Sequence, residues 1–332
     1  MGDVAMLVPL IERLHKQYPE VKISLLTKGF FTNLFAHLAY VNCIEAKVNN
    51  EHKGILGLFQ LSKELPKDID AVADMHEVIR SKIIRSLLCI KGKKVANLNK
   101  RRAQKKALTA LQPKNIQPLP SVFEAYNEVI AKLGFEVDLN IPIDSPKLSI
   151  SKEILSQLGV NAISTATGFA PFAAHDPKVL PFDKSKELIK LLDAELNQEI
   201  LLFGGGAKEI EALEKLAEGI PNAKVVAGKV NFPTELALIA NLKLMISMDS
   251  GNGHLAAMFQ KPVVSLWGAT HPYAGFTPFN QPKENQFTPD LAKYPLLPTS
   301  IYGNKIIVGY EDCMHSISLE AVVKRIKELV FE

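Results

Sequence analysis

Cysteine is scarce in this sequence, and its few cysteines stand far apart. Cys43, Cys89 and Cys313 are the three among 332 residues, and no two of them have the spacing of a metal site or a redox motif. This spacing argues against a disulfide framework and against a cysteine zinc site. It predicts free thiols in a reducing compartment.

Long hydrophobic runs are absent as well. No apolar run reaches the roughly 18–20 residues that a membrane-spanning helix needs. The N-terminus lacks the basic-then-apolar order of a signal peptide. We therefore expect a cytoplasmic protein that contacts a membrane at most at the membrane's surface.

Several common catalytic motifs are also missing. The chain has no GxxxxGK[ST] phosphate loop, no HExxH and no GxSxG, which argues against the usual ATPases, metalloproteases and serine hydrolases. The glycines in Phe203-Gly204-Gly205-Gly206 do not match GxGxxG, so a nicotinamide cofactor is poorly supported. The basic segment 98–106 contains no aromatic residue, which argues against a nucleic-acid partner.

The composition and the length of the chain are those of an ordinary globular protein with two domains. Hydrophobic residues make up 47% and charged residues 22% of the chain, and 332 residues are about twice the usual domain size. The formal net charge is +4. This mild excess is compatible with anionic small molecules or an anionic membrane surface and requires neither.

Short strand-like and helix-like segments alternate along the whole chain, which predicts parallel α/β layers. The linker is expected at 136–148, where two prolines and three acids interrupt the pattern. The predicted domains are 1–140 and 149–317, followed by a last helix at 318–332. Strands are predicted at 21–26, 41–46, 69–73, 163–167, 199–203, 224–226, 244–247 and 263–266. Helices are predicted at 4–18, 30–38, 77–89, 121–133, 182–196, 210–218, 233–240 and 318–331, with another starting near Gly253.

The string MDSGNGH, residues 248–254, lies between a predicted strand and a predicted helix. Ligands of open parallel sheets bind beyond the carboxyl ends of strands. Helix-start amides and close-approaching glycines form an anion site there. Asp249 would accept hydrogen bonds from sugar hydroxyls, and His254 would donate to a phosphate. Asp and Ser are also good helix caps, so the string by itself fits either a cap or a phosphate site.

Charged residues in other loops are weaker candidates. Asp3 stands at a helix start, where it serves as a simple cap or as a general base. Lys178, in a long strand-to-helix loop, can reach a diphosphate, although a single loop lysine is usually only solvated. Arg80, Lys82 and the run 100–106 could meet acceptor phosphates, but solvated surface charge explains most such residues.

Taken in order, the strings resemble the family 9 glycosyltransferases, the lipopolysaccharide heptosyltransferases. The family's Gly-Asp-Val pattern followed by a proline-containing helix is similar to GDVAMLVPLIERLHKQYP, residues 2–19. Its nucleotide-site pattern is similar to MDSGNGHLAAMFQKPVVSLWGATHP at 248–272, and its lysine loop is similar to FAAHDPKVLPFDKSKEL at 172–188.

The resemblance implies a GT-B fold, with two Rossmann-like domains facing across a cleft and the last helix returning to the first domain. It implies an inverting, metal-independent glycosyltransferase that moves heptose from ADP-heptose to a lipid-linked lipopolysaccharide core acceptor. No cofactor and no metal would be needed, and the enzyme would be a monomer. The matched residues then have implied roles: base, Asp3; diphosphate neutralisation, Lys178; donor sugar, Asp249; phosphate binding, Ser250, Gly251 and His254. Beside these we expect Ala174, Gly204 and Gly205 to lie at the donor, and Arg80 and Lys82 to contact the acceptor.

The sequence departs from the family pattern at two places. Met1 stands directly before Gly2, so the apolar strand that should fill the centre of the N-terminal sheet is missing. A late-assigned start or a truncation would explain this. Ala173, Ala174 and Asn252-Gly253 also differ from commoner residues, which leaves another nucleotide sugar open. The alternatives are therefore a different GT-B enzyme, an epimerase of similar build or an inactive homologue.

Overall fold

The computed structural model describes residues 1–112, 114, 116–146, 148–305 and 307–331. The chain forms two compact units. The first contains Met1, residues 3–102 and residues 120–144, and the second contains Gly2, residues 103–119 and the chain from Ser145 onward.

Residues 103–119 differ from the predicted division, which placed them in the N-terminal domain. Their contacts explain the grouping with the second unit. The amide of Leu119 donates to the carbonyl of Tyr273 at 2.9 Å, and Nζ of Lys114 donates to the carbonyl of Pro298 at 2.8 Å. Side chains and backbone of this segment are thus held by the second unit.

The first unit alternates helices with parallel strands. Its elements are α1 (Gly2–Ala5), α2 (Val8–Gln17), β1 (Ile23–Thr27), α3 (Gly29–Thr32), β2 (Val41–Glu45), α4 (Gly54–Glu64), β3 (Ala71–Asp74), α5 (Ile79–Ile90), β4 (Lys94–Asn97), α6 (Arg102–Leu108) and α7 (Val122–Leu133). Two of these helices cross the division between the units: Gly2 of α1 belongs to the second unit, and so does all of α6 except Arg102.

The strands of the first unit form two separate parallel pairs instead of one sheet. β1 pairs with β2, and β3 pairs with β4. No strand lies in residues 1–22, all of which the structure describes. One apolar cluster, built from Leu58, Leu61, Leu65, Ile84 and Leu88, contacts residues of both pairs. Among the described residues, side-chain packing and not a shared hydrogen-bonded sheet therefore joins the two pairs.

The second unit is built on a single six-stranded parallel sheet. Its elements are α8 (Lys152–Leu158), β5 (Thr167–Ala170), α9 (Phe182–Leu196), β6 (Ile200–Leu202), α10 (Ala207–Ala217), β7 (Ala223–Val225), α11 (Phe232–Asn241), β8 (Leu244–Met248), α12 (Gly251–Met258), β9 (Val263–Leu266), β10 (Gln286–Phe287) and α13 (Leu319–Phe331). The strand order is β10-β9-β8-β5-β6-β7. The central strands β5, β8 and β9 are buried along their whole length, as expected for a parallel sheet covered on both faces.

The last helix packs on the second unit. Val322 and Ile326 of α13 are fully buried in the unit's apolar core. Lys327 bonds Glu195 of α9 at 2.6 Å. The return of this helix to the first domain stays a prediction.

The predicted helix 4–18 is wrong as one continuous helix. The structure has two helices, and the second begins at Val8 with Pro9 in its first turn. Proline lacks an amide hydrogen and its ring clashes with the carbonyl four residues earlier, so a proline is tolerated in a first turn and not in a helix interior. Pro9 therefore separates α1 from α2.

Ser121 caps α7 as predicted. Its Oγ accepts the amide of Glu124 at 3.1 Å, and the Glu124 carboxylate accepts the amide of Ser121 at 2.6 Å. We expect Ser121→Ala to lower the free energy of unfolding by about 1 kcal/mol, because two helix-end amides depend on this exchange. Urea unfolding followed by circular dichroism measures it. Ser156→Ala, at an exposed position inside α8, is the control, and equal losses in both variants would contradict the capping role.

Candidate active site

The topology of the second sheet places two loops side by side. The chain runs outward from β5 through β6 and β7 and then returns to put β8 on the other side of β5. In open parallel sheets, ligands bind outside the carboxyl ends of strands where the order reverses in this way. Lys178 follows β5 and Asp249 follows β8. Both candidate residues therefore stand at the switch point of the sheet.

Lys178 and Asp249 form an ion pair. Nζ of Lys178 lies 3.1 Å from Oδ2 of Asp249, and the two side chains are only 12% and 10% exposed. A partly buried pair is screened less by salt than a surface pair. A cation and a carboxylate are thus held together at the edge of the sheet where a ligand is expected.

Two glycines make room for Lys178. A Cβ on Gly303, whose φ is +76°, would lie 2.2 Å from Cδ of Lys178, and a Cβ on Gly268 would lie 2.1 Å from the carbonyl oxygen of Pro177. That same carbonyl accepts the amide of Ala269 at 2.8 Å. A side chain at either glycine would displace the lysine or its backbone. The loop after β9, through Gly268, and the segment after β10, through Gly303, therefore both help to position Lys178.

Helix α12 starts immediately after Asp249. Ser250 occupies the cap position but makes no side-chain cap bond; its Oγ lies 3.3 Å from Oγ of Ser247 instead. A Cβ on Gly253 would lie 3.1 Å from that Ser247 Oγ, so the first turn of the helix approaches β8 closely. Helix-start amides carry partial positive charge and suit a phosphate.

The helix begins two residues earlier than the expected start near Gly253. Gly251 is therefore a first-turn residue. His254 is buried in the same short helix. Asp249, Ser250, Gly251 and His254 are thus brought to one helix start beside Lys178.

The remaining predicted donor residues lie on neighbouring loops of the second unit. Ala174 is exposed between β5 and Lys178. Gly204 and Gly205 follow β6, where the amide of Gly205 donates to Oε2 of Glu209 at 2.8 Å. The amide of Gly205, which we expected beside the nucleotide, therefore already donates to a carboxylate of the protein.

Asp3 belongs to the first unit and is exposed on α1. Its carbonyl oxygen accepts the hydroxyl of Tyr126 at 3.2 Å. Burial, with the charge of Asp3 as a smaller cause, raises the pKa of Tyr126 well above its ordinary value. The tyrosine therefore stays protonated, and its hydroxyl ties α1 to α7. The Asp3 carboxylate forms no ion pair among the described residues.

A basic cleft of about 510 Å³ lies at the carboxyl end of β4. Lys82 lines it and bonds Glu77 at 2.9 Å; Arg80 is exposed on the first turn of α5, outside the lining. Burial acts to raise the pKa of Glu77, but hydrogen bonds from Lys82 and Arg85 outweigh it and hold that pKa low. The cleft is lined by Glu77, Lys82, residues 95–102 and Lys132.

Sequence reasoning missed the pairing of Lys178 with Asp249 and the environment of residues 270–271. Oγ1 of Thr270 is buried with no hydrogen-bond partner among the described residues. Burial, and then the charge of Lys114, lowers the pKa of His271 to about 4. His271 is thus neutral at pH 7, and its Nδ1 accepts the amide of Tyr273. Their position directly after β9, at the ligand edge of the sheet, is the signal that could have identified them.

The sequence profile of glycosyltransferase family 9 (heptosyltransferase) matches residues 58–298, which is well over half of the chain. The protein is a family 9 glycosyltransferase. The chain is 25% identical to lipooligosaccharide heptosyltransferase 2 of Haemophilus influenzae over 99% of its own length and 96% of that protein. It is 26% identical to lipopolysaccharide heptosyltransferase 3 of Escherichia coli, covering 81% of this chain and 80% of that one.

Solved structures show the same fold. The E. coli ADP-heptose lipopolysaccharide heptosyltransferase II matches with a TM-score of 0.66 and 21% identity, over 99% of this chain and 96% of that chain. A family 9 glycosyl transferase from Veillonella parvula matches with a TM-score of 0.74 and 18% identity, over 100% and 94%. The predicted family, enzyme class and α/β GT-B fold are confirmed for this family 9 glycosyltransferase.

Two features are absent from the part of the chain that the structure describes. No helix there is long and apolar enough to cross a bilayer. No group of three or more His, Cys, Asp or Glu side chains there is placed to hold a metal ion.

Proposed function

We propose that this enzyme transfers heptose from ADP-heptose to a hydroxyl of a lipopolysaccharide core acceptor, with inversion at the anomeric carbon and without a resident metal or cofactor. The observation that carries the proposal is the Lys178–Asp249 ion pair beside the start of α12. One small region thereby offers a cation, helix-start amides and a carboxylate. Those are the groups that a nucleotide diphosphate and a sugar require.

In this proposal the diphosphate and the sugar of the donor bind different residues. The diphosphate binds Lys178, Ser250, the amide of Gly251 and His254, because these groups are cationic or donate hydrogen bonds. The sugar binds Asp249, since a carboxylate accepts hydrogen bonds from hydroxyl groups. Ala174, Gly204 and Gly205 stay proposed contacts of the donor along the neighbouring loops.

The reaction proposed for these residues is a single displacement. The Asp3 carboxylate removes the proton of the acceptor hydroxyl, and the acceptor oxygen forms the new bond to the anomeric carbon. The bond from that carbon to the diphosphate oxygen breaks, and ADP leaves with its electron pair. Lys178 and the helix-start amides stabilise the negative charge that develops on the leaving group.

The basic cleft is the proposed binding place for anionic groups of the acceptor. Lys100, Arg102 and Lys132 line it and form no ion pair among the described residues. Lys82 is shared with Glu77, and Arg80 stands nearby on the first turn of α5. A lipid-linked acceptor places the enzyme at the cytoplasmic face of the inner membrane. The monomeric state and the lack of a nucleic-acid partner stay predictions.

A nucleotide panel tests the donor. We expect ADP and ADP-heptose to raise the melting temperature of the full chain more than UDP and UDP-sugars do. With a heptose-deficient lipopolysaccharide acceptor, ADP-heptose should release ADP and give an inverted glycosidic linkage by NMR.

The departures from the family pattern at Ala174 and Asn252 favour another nucleotide sugar as the second candidate. A preference for a uridine nucleotide would support that second candidate. Nucleotide binding without transfer to any acceptor would indicate an inactive homologue.

A further inference from the structure

The first unit leaves large apolar side chains in water at the starts of two helices. Ile55 and Leu56 in the first turn of α4 are 72% and 85% exposed, and Ile79 at the start of α5 is 78% exposed. Phe59, one turn further along α4, is 45% exposed. An exposed group of aliphatic side chains of this kind marks an interaction surface.

The two helices bring these residues to the same end of the layer. Leu58 and Leu61 of α4 pack with Ile84 and Leu88 of α5 in one cluster. Nζ of Lys91, the residue that directly follows α5, donates to the carbonyl of Ser62 near the end of α4 at 3.0 Å. The C-terminal ends are therefore adjacent and the helices run side by side in the same direction. Their N-terminal turns, with Ile55, Leu56 and Ile79, lie together at the carboxyl edge of the strands.

The backbone under the patch is held in place. His52, buried before α4, accepts the amide of Lys47 on Nδ1 at 3.0 Å and contacts Glu64 through Nε2 at 3.0 Å. A Cβ on Gly57 would lie 2.4 Å from the backbone of His52, so the first turn packs tightly against the preceding loop. Ile55 and Leu56 are therefore exposed on a first helical turn that the packing around His52 and Gly57 holds in place.

Basic residues outnumber acidic ones without an ion pair at the carboxyl edge of the first unit's strands, where the apolar patch lies. Each strand of the first unit is followed by a basic residue that forms no ion pair among the described residues: Lys28 after β1, Lys53 after β2, Arg80 after β3, and Lys100 and Arg102 after β4. The acidic side chains Glu51 and Glu77 of these loops are bonded to lysines. Aliphatic groups among basic ones match a bilayer with anionic headgroups, in which the apolar groups enter the interface and the cations meet phosphates.

We propose that this edge of the first unit, the membrane-facing patch of Ile55, Leu56, Phe59 and Ile79 with Lys28 and Lys53, docks on an anionic lipid bilayer. The inference extends the proposed location of the enzyme. Its test needs neither donor nor acceptor, so it can fail while the proposed transfer reaction stands, and the reverse also holds.

Vesicle sedimentation of the full chain provides the test. The protein should partition onto phosphatidylcholine vesicles that contain phosphatidylglycerol and much less onto pure phosphatidylcholine. Ile55→Ser/Leu56→Ser/Ile79→Ser should reduce partitioning at least about tenfold, because three aliphatic side chains no longer leave water. Lys28→Glu/Lys53→Glu should remove the preference for anionic vesicles and its decrease with salt.

Val308→Ser is the matched control, since Val308 is 92% exposed in the second unit, outside the patch. It should bind vesicles like the parent, and unchanged melting temperatures show that the variants fold. The proposal is overturned if the parent binds neither kind of vesicle, or if the triple variant binds like Val308→Ser. It is equally overturned if sedimentation velocity shows a dimer that the same three substitutions dissociate, which would assign the patch to a second copy of the chain.

Discussion

Replacing Lys178 with alanine is expected to lower kcat/KM roughly 10²–10³-fold, the range seen when one preorganised group that stabilises developing charge is removed. Nζ of Lys178 is the cation placed beside the start of α12 and Asp249. In the proposed reaction the diphosphate gains charge as it leaves, so the lysine should contribute most in the transition state. Steady-state ADP release gives kcat/KM. Calorimetric titration with ADP should show weaker binding as well, because ADP carries the same diphosphate.

Asp249→Asn separates the two halves of the proposed site. It should weaken binding of the nucleotide sugar and leave ADP binding unchanged or tighter, since Asp249 no longer competes for Lys178. Lys184→Ala is the control for general loss of charge, because Lys184 pairs with Glu187 on the surface of α9. If Asp249→Asn and Lys178→Ala weakened ADP binding equally, the assignment of sugar to one residue and diphosphate to the other would be wrong.

Asp3→Asn is expected to lower kcat by about 10²–10⁴-fold, the usual contribution of a positioned general base. The amide retains the size of the side chain and cannot take the acceptor proton. Donor affinity should not change, because the proposed partner of the Asp3 carboxylate is the acceptor hydroxyl and the substitution keeps the size of the side chain. Rapid-quench single turnover with saturating donor and acceptor measures the chemical step.

Asp68→Asn, at an exposed position of the first unit, is the control for Asp3→Asn. It should retain the parent rate. A variant at Asp3 that turns over at the parent rate would remove this residue from the chemistry. Another carboxylate would then have to act as the base.

The second unit was the more predictable half of this chain. The predicted bounds 182–196 and 263–266 coincide with α9 and β9, because these segments carry uninterrupted helical and strand patterns. In the first unit, α4 was not predicted. Its apolar residues lie on two faces, Leu58 and Leu61 inward and Ile55 and Leu56 outward, so the helical period is hidden in the sequence. β4 was missed too, since its four residues, KVAN, are too short and too polar to indicate a strand.

The sequence by itself determined the α/β class, the family and the string of small residues that starts α12. Local patterns suffice for these, since strand and helix periods, caps and glycines act over a few residues. Only the tertiary structure decided that Lys178 and Asp249 pair. The reason is the strand order, which places β8 beside β5 although α9, β6, α10, β7 and α11 lie between them in the chain. It also decided that Ile55, Leu56 and Ile79 meet at one exposed edge, because that depends on the direction in which α4 and α5 pack.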